Sequence, residues 1–316
     1  MTISNEQILK GNGQQVSIQK DLDFTMPHND AESFLVDTIQ NASTLPKLQP
    51  LYKKMAAGTI PALQVSRRKL RLASANDNPN NTTRGVSDRP IDYAVKKVKW
   101  DEWLQNDDVW AAINGRGDDL ESKVIEMIQK QFAADLQDLA FNGDTNAKLS
   151  DGTTPDPFLS ILDGFVKKMK ASTYKTDLAT NDMELMDFVN HVQVLPEKFK
   201  SRDDITWYIG QGTHDRLVAR IVGRQTGYGD AVLTAGKVER IAGYPVEVVA
   251  DLQQGFAALT PAGNLKPVFT RDLRYIRTGQ GSTAAAKDAT YHVLFAYLDC
   301  LVLETEAVAW MTGDKL

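Results

Sequence analysis

The feature that most constrains this chain is an apolar period between Asp118 and Asn142, where Leu120, Val124, Met127, Ile128, Phe132, Leu136 and Leu139 recur at spacings of three and four. That spacing predicts one long helix with a single apolar stripe. Asp118 and Asp119 suit its positive N-terminal end and Gly143 suits a C-terminal stop. About 25 residues make a rod of roughly 37 Å, a spine around which other elements must pack. At 316 residues the chain exceeds the usual size of one domain, so two packed regions or one domain with long excursions are expected. With 42% hydrophobic and 24% charged residues it can bury a sizeable core.

The elements around the spine are less regular. Residues 1–28 are polar, with Gly11, Gly13 and a short Val16 to Phe24 segment, and read as an extended arm ending at Met26-Pro27. With Asn29 or Asp30 as N-cap, AESFLVDTIQNAS places Phe34, Leu35 and Ile39 on one helical stripe that Pro46 stops. Ile60 to Ala75 and Pro90 to Trp103 flank the turn-rich NDNPNNTTRG. In the second run Ile91, Tyr93 and Val95 alternate with Asp92, Ala94 and Lys96. Two antiparallel strands of about 12 residues each form a hairpin reaching roughly 40 Å, against a radius of gyration of about 20 Å for a compact chain of this size. Such a hairpin projects beyond its own lobe.

After the spine, NGDTNAKLSDGTTPDP reads as a loop and FLSILDGFVKKMK as helical. Helix 182–191, strand 205–209, helix 213–223, and strands 245–250, 256–260 and 266–277 then make a mixed α/β or α+β lobe. The aromatic and β-branched TYHVLFAYLDCLVLETEAVAW gives one or two C-terminal strands. Lacking an obvious partner next to them in sequence, they are expected to return to the strands around the spine.

Charge is divided sharply. Between Val65 and Lys99 stand Arg67, Arg68, Lys69, Arg71, Arg84, Arg89, Lys96, Lys97 and Lys99 against Asp77, Asp88 and Asp92, a net of +6 in a chain of net −5. Between Asp101 and Asp144 stand Asp101, Glu102, Asp107, Asp108, Asp118, Asp119, Glu121, Glu126, Asp135, Asp138 and Asp144 against Arg116, Lys123 and Lys130, a net of −8. A two-stranded hairpin is marginal in water unless it packs on a further surface. The acidic spine of a second copy is a charge-complementary surface, and a head-to-tail contact of that kind closes into rings. The alternative is a solvated strand face that folds back on its own subunit.

Enzymatic and metal-binding classes find little support. His28, His191, His214 and His292 lie in unrelated segments without metal-site spacing, and no nucleophile elbow, phosphate-binding loop or dinucleotide fingerprint is present. No cofactor is expected. Cys300, the one cysteine, excludes an intrachain disulfide and follows an apolar run, as a small buried side chain would. Arg116-Gly117-Asp118 sits where the spine helix needs a capping Asp. The mild negative charge argues against a nucleic-acid reader. The N-terminus has no secretory signal pattern, and no apolar stretch approaches the roughly 20 residues of a membrane span. A self-associating structural subunit is the expectation, with a soluble α/β enzyme as the alternative from another class.

The order of arm, basic hairpin, spine, Gly/Asp loop, lobe and returning strands resembles the major capsid protein of tailed bacteriophages, an α+β chain of the Hong Kong 97 type. The residues carrying it are DDLESKVIEMIQKQFAADLQDLAFNGD with DPFLSILDGF, then LPEKF, DITWYIGQGTHDRL and LTPAGNLKPVFTRDLRYI. The resemblance implies an N-terminal arm and short helix (1–59), an extended β-hairpin loop (60–103), a peripheral domain with the spine helix (104–178 plus 285–316) and an axial domain (179–284). Arg224, Gly227, Tyr228, Gly229 and Asp230 would lie in a loop at the capsomer centre. It further implies hexamers and pentamers of the chain in a virion shell assembled in the host bacterial cytoplasm. Portal and head-tail connector proteins would be partners, with a separate scaffold and a decoration protein possible, around double-stranded DNA held without sequence specificity. A nanocompartment shell of the encapsulin kind is the alternative within the same architecture.

Overall fold

The structure of the chain, a computed structural model, describes residues 23–25, 28–61, 63–65, 86–105, 120–179, 181–223, 237–270 and 273–313. The N-terminal part contributes β1 (Asp23–Thr25), α1 (His28–Asn41) and β2 (Leu51–Lys53). A hairpin leaves through β3 (Ala57–Ile60) and β4 (Leu63–Val65) and returns through β5 (Val86–Asp88) and β6 (Ile91–Ala94). β7 (Lys96–Gln105), the spine helix α2 (Leu120–Asn142), α3 (Phe165–Met169) and β8 (Lys175–Asp177) follow. The lobe then runs α4 (Leu185–His191), α5 (Glu197–Lys200), β9 (Ile205–Gly210), α6 (Gln211–Val222), β10 (Arg240–Ile241), β11 (Tyr244–Val249) and β12 (Phe256–Pro261). The last elements are β13 (Leu265–Thr270), β14 (Arg274–Thr278), α7 (Ser282–Lys287), β15 (Ala289–Val302) and β16 (Ala309–Thr312).

Two six-stranded sheets organise these elements. In the first, β15 is central. Its residues 289–298 pair antiparallel with β7 on one side, while β14 and then β13 occupy the other. β1 extends the sheet beyond β14 and β2 beyond β13. The second sheet runs β10-β11-β9-β12-β16-β8.

The strand period explains how the two sheets share one interior. Side chains alternate across a strand, so Tyr208, Phe256, Ala258 and Trp310 join the core that holds Ile128, Phe132, Leu136 and Leu139 of α2 with Leu294, Leu298 and Cys300 of β15. Their neighbours Trp207, Ile209, Ala257, Leu259, Ala309 and Met311 face a second core under α4 and α6, built on Phe188 and Leu217. The second sheet is therefore covered on both faces, which is why β12 is buried at every position. At the N-terminal side Leu35, Ile39, Leu45 and Leu48 complete the first core. The Thr44 N–H and the Ser43 hydroxyl bind the Gln137 amide oxygen at 2.8 and 3.2 Å, fixing the α1 segment to the spine.

Several expectations change. The spine is present, yet Met127 is 69% exposed, because the buried stripe runs 128, 132, 136 and 139 and leaves Met127 on the solvent side. The run 158–170 is broken at Gly164 into a short 3-10 turn and α3. The segment 266–277 is two strands placed successively along one side of β15. β15 does have a partner nearby in sequence, β14, reached through α7. The two C-terminal strands separate: β15 lies in the first sheet, whereas β16 pairs with β12 and β8 in the second, so 285–316 and 104–178 each contribute to both sheets.

Two imidazoles sit inside these cores. His191 bonds the Thr176 hydroxyl at 2.7 Å beside the Trp207 ring, and His292 on β15 meets the Tyr275 hydroxyl at 2.7 Å. Burial brings each pKa down to about 4 from 6.5, with the Arg277 charge adding to the effect at His292. Because the folded values lie below the unfolded one, this stability is complete above pH 6.5 and is lost as pH falls toward 4, on the order of 3 kcal/mol per residue. Asp151 and Asp163, held at about 2, titrate below that window. The urea midpoint of the unassembled chain should fall between pH 6.5 and 4.5, and less so in a His191→Gln, His292→Gln double variant; a midpoint flat across that range contradicts the assignment.

Candidate subunit interface

The hairpin is the element that leaves the body. Ala57–Ile60 pairs with Ile91–Ala94, and Leu63–Val65 with Val86–Asp88. β3 and β4 together hold seven residues, roughly 23 Å of strand at about 3.3 Å per residue. Its root packs on the first sheet through Tyr93, Ile60, Ile91 and Val95 against Val268 and Leu301. Thr59 bonds Asp92 directly across the ladder at 2.8 Å, and the Tyr93 ring lies over Gly58, where a Cβ would come within 2.8 Å of the phenol oxygen.

The nine basic residues divide. Arg67, Arg68, Lys69, Arg71 and Arg84 lie outside the described residues, between β4 and β5 in the chain. Arg89, half-buried, precedes β6; Lys198 holds the Glu306 carboxyl below the usual range and Arg89 adds to it. Lys96, Lys97 and Lys99 do not belong to the hairpin. The returning strand ends at Ala94, and from Lys96 the chain pairs with β15, whose long free side offers a complete ladder. Lys97 lies over the Phe295 ring at 4.3 Å, and Lys99 bridges Asp101 at 3.0 Å near the Tyr291 ring. Removing these three leaves six basic residues against Asp77, Asp88 and Asp92, a hairpin of net +3.

The acidic residues divide likewise. Asp107, Asp108, Asp118 and Asp119 lie outside the described residues, and Glu121 stands in the first turn of α2. Glu126 is exposed and pairs with Lys130 at 2.7 Å; Asp135 accepts from Gln131 at 2.8 Å and Asp138 from Asn142 at 2.6 Å. Surface pairs of this kind hold their partners weakly, at about 0–1 kcal/mol, so Glu126 can exchange Lys130 for another cation. Asp138 differs. Burial raises its pKa, and the nearby Asp251 and Asp135 charges raise it further, although the Asn142 amide opposes them. The proposed capsomer-centre residues Arg224, Gly227, Tyr228, Gly229 and Asp230 are outside the described residues.

Beyond the C-terminal end of α2, carboxylates shape the Gly/Asp loop. Asp144 accepts from the Asn146 N–H, Asp151 from Thr153 and Thr154, and Asp156 from Phe158 and Leu159, all at 2.8–2.9 Å. Lys167 joins Asp144, Asp163 and the Thr145 hydroxyl at 2.6–2.8 Å. Burial opposes ionisation of Asp163, but Lys167 and Thr145 outweigh it and set its pKa at about 2. Asp144, Asp156 and Lys167 border an open cleft of about 550 Å³, lined also by Asp138, Asn142, Lys170 and Gln253. Among the described residues no group of His, Cys, Asp and Glu could hold a metal ion. Cys300 is fully buried, and its thiol pKa is raised by that burial.

One cluster escaped the sequence reading. Asp299, on β15, accepts the Ala94 N–H at 3.0 Å and the Lys168 ammonium at 2.9 Å. The available signal was a lone acid in the apolar run AYLDCLV, since an unpaired Asp is rarely buried.

No known family profile matches the chain. It is 27% identical over 211 residues to a putative prophage capsid protein, YqbE, of Bacillus subtilis (strain 168); the match spans 63% of this chain and 63% of that protein's length. Among solved structures it superimposes on a chain of the procapsid of satellite phage P4, determined with its size determination (Sid) protein. The TM-score is 0.67 at 16% identity, over 98% of both chains. A chain of Microbacterium phage Oxtober96 gives a TM-score of 0.55 at 12% identity, over 86% of this chain and 91% of that one. The fold is the Hong Kong 97 type capsid fold, in its α+β form.

The loop at the end of the spine supplies a test. The Gly164 N–H bonds the Gly143 carbonyl at 2.8 Å, and a Cβ on Gly164 would stand 2.8 Å from the Ala140 oxygen, the Phe141 oxygen and the Gly143 nitrogen. None of these backbone atoms can turn aside. Gly164→Ala should destabilise the chain by about 1–3 kcal/mol in urea unfolding, whereas Gly152→Ala, at a position open to solvent but with a φ of +69°, should cost about 1 kcal/mol. Equal stability of Gly164→Ala and the parent chain contradicts the close approach.

Proposed function

We propose that this chain is a major capsid protein, a structural subunit that self-assembles into the icosahedral head of a tailed bacteriophage around double-stranded DNA. The observation that carries the reading is the superposition on a phage procapsid chain over 98% of both chains, supported by the sequence similarity to a prophage capsid protein. A projecting two-stranded element on a body with a well-filled core is the shape expected of a subunit whose contacts are lateral. In this reading residues 60–94 form the extended loop, the first sheet with α2 the peripheral domain, and the second sheet with α4 to α6 the axial domain. The subunits form hexamers and pentamers. Portal and head-tail connector proteins join them, and a separate scaffold or a decoration protein completes the set.

Arg67, Arg68, Lys69, Arg71, Arg84 and Arg89 carry the hairpin's charge toward the acidic surface of a neighbouring spine, where Glu126 and Asp135 are the described candidates. Lys96, Lys97 and Lys99 are engaged on their own sheet and contribute little to that contact. Reversing Arg67, Arg68 and Lys69 to Glu should reduce the yield of assembled particles while leaving the circular dichroism of the unassembled chain unchanged. The parent contact itself should weaken as salt rises. Particles forming at the parent yield contradict the electrostatic pairing.

A further inference from the structure

The chain turns a corner at Ala94 and Val95, where it leaves the hairpin and enters the first sheet. The last hairpin rung pairs Ala94 with Ala57, and the first rung on the sheet pairs Lys96 with Leu298. One residue beyond that rung, a side chain takes over from the backbone ladder: one carboxylate oxygen of Asp299 accepts the Ala94 N–H at 3.0 Å. The other oxygen accepts the Lys168 ammonium at 2.9 Å and the Cys300 N–H at 2.7 Å. Lys168 also donates to the Cys300 carbonyl. The Asp299 side chain is 13% exposed and that of Lys168 30%.

Lys168 belongs to α3, which is fixed to the end of the spine through the Gly143 and Gly164 contact. A continuous polar line thus runs from the spine through Lys168 and Asp299 to the root of the hairpin. Besides this line, the root is held by the Val95 N–H to Ala56 carbonyl bond at 2.8 Å and by the small apolar cluster around Tyr93. A charge-assisted bond at a half-buried site is the strongest directional contact in that set.

We propose that Asp299 and Lys168 form a hinge pin that sets the direction of the hairpin relative to the spine before two subunits meet, so that both are positioning residues for assembly. The inference rests on the reading of the hairpin as the element that reaches a neighbour. A pinned hairpin presents its contact residues in one direction, and association then costs less ordering. Without the carboxylate the root keeps its apolar cluster and the hairpin samples a range of directions. The body keeps its apolar core, which does not depend on the Ala94 N–H, although it loses the Lys168 and Cys300 bonds to the carboxylate.

The test compares Asp299→Asn and Lys168→Met with the parent chain. Asn keeps the shape but faces Lys168 without charge, and Met keeps the stem but removes the ammonium. The readouts are amide exchange of the unassembled chain, its urea midpoint, and the yield and diameter of assembled particles. Expected is an acceleration of Ala94 amide exchange of about tenfold or more, with unchanged exchange at Leu294 in the middle of β15. Particle yield should fall, or diameters broaden, in both variants. If Asp299→Asn does not fold, Lys168→Met carries the same readouts. Unchanged Ala94 exchange in the folded variants overturns the pin. Faster exchange with parent yield and diameter overturns the positioning role. A parent chain that forms no particles overturns the capsid reading itself, a result distinguishable from both because it appears without any substitution.

Discussion

The pairing of β15 with strands from opposite ends of the sequence is the constraint on which the rest of the structure depends. Through it β7, which follows the hairpin, joins one sheet with β14 and β13, which lie on the other side of β15, and all three contribute apolar side chains to the core that holds α2. Contacts across nearly two hundred residues carry a large closure entropy, which the buried face of the sheet must outweigh. The strand is long enough to do so. It has ten rungs with β7 alone, and Leu294, Leu298 and Cys300 along it are fully buried.

That arrangement divides the molecule into a body and a projection. Side chains alternate through the second sheet so that one face completes the spine's core and the other holds α4 and α6, which ties the two sheets into one interior. The hairpin has no such backing beyond its root, among the described residues; in the capsid reading a neighbouring subunit would supply it. A shell built from such subunits draws its contacts from the projection and its rigidity from the body, a division the capsid reading uses directly.

Much of this was legible in the sequence where a period was long and local. The spine was readable because four core positions recur over twelve residues and outweigh Met127, the one misassigned side chain among the described residues. Gly143 was rightly read as a stop, although for a different reason: a Cβ there would meet the Leu162 and Leu139 carbonyls at 2.6 and 2.7 Å, so it is close packing that requires the glycine. The Gly/Asp loop was readable because Asp side chains bind backbone N–H groups two or three residues on. The corner at Ala94 was not. Alternation of apolar and polar residues continues through it, and only the competition between β3 and β15 for the strand decides where the hairpin ends. The basic excess was accordingly overcounted by Lys96, Lys97 and Lys99. The separation of β15 from β16 was equally hidden, since both are apolar and their partners lie far away in sequence.

Electron microscopy of the purified chain in negative stain tests the central claim most directly. The account predicts closed, icosahedral particles of uniform diameter, which after assembly in a cell infected or lysogenised by the parent phage protect double-stranded DNA from nuclease. A chain that stays monomeric in such fields and in gel filtration, across protein and salt concentrations, would contradict it.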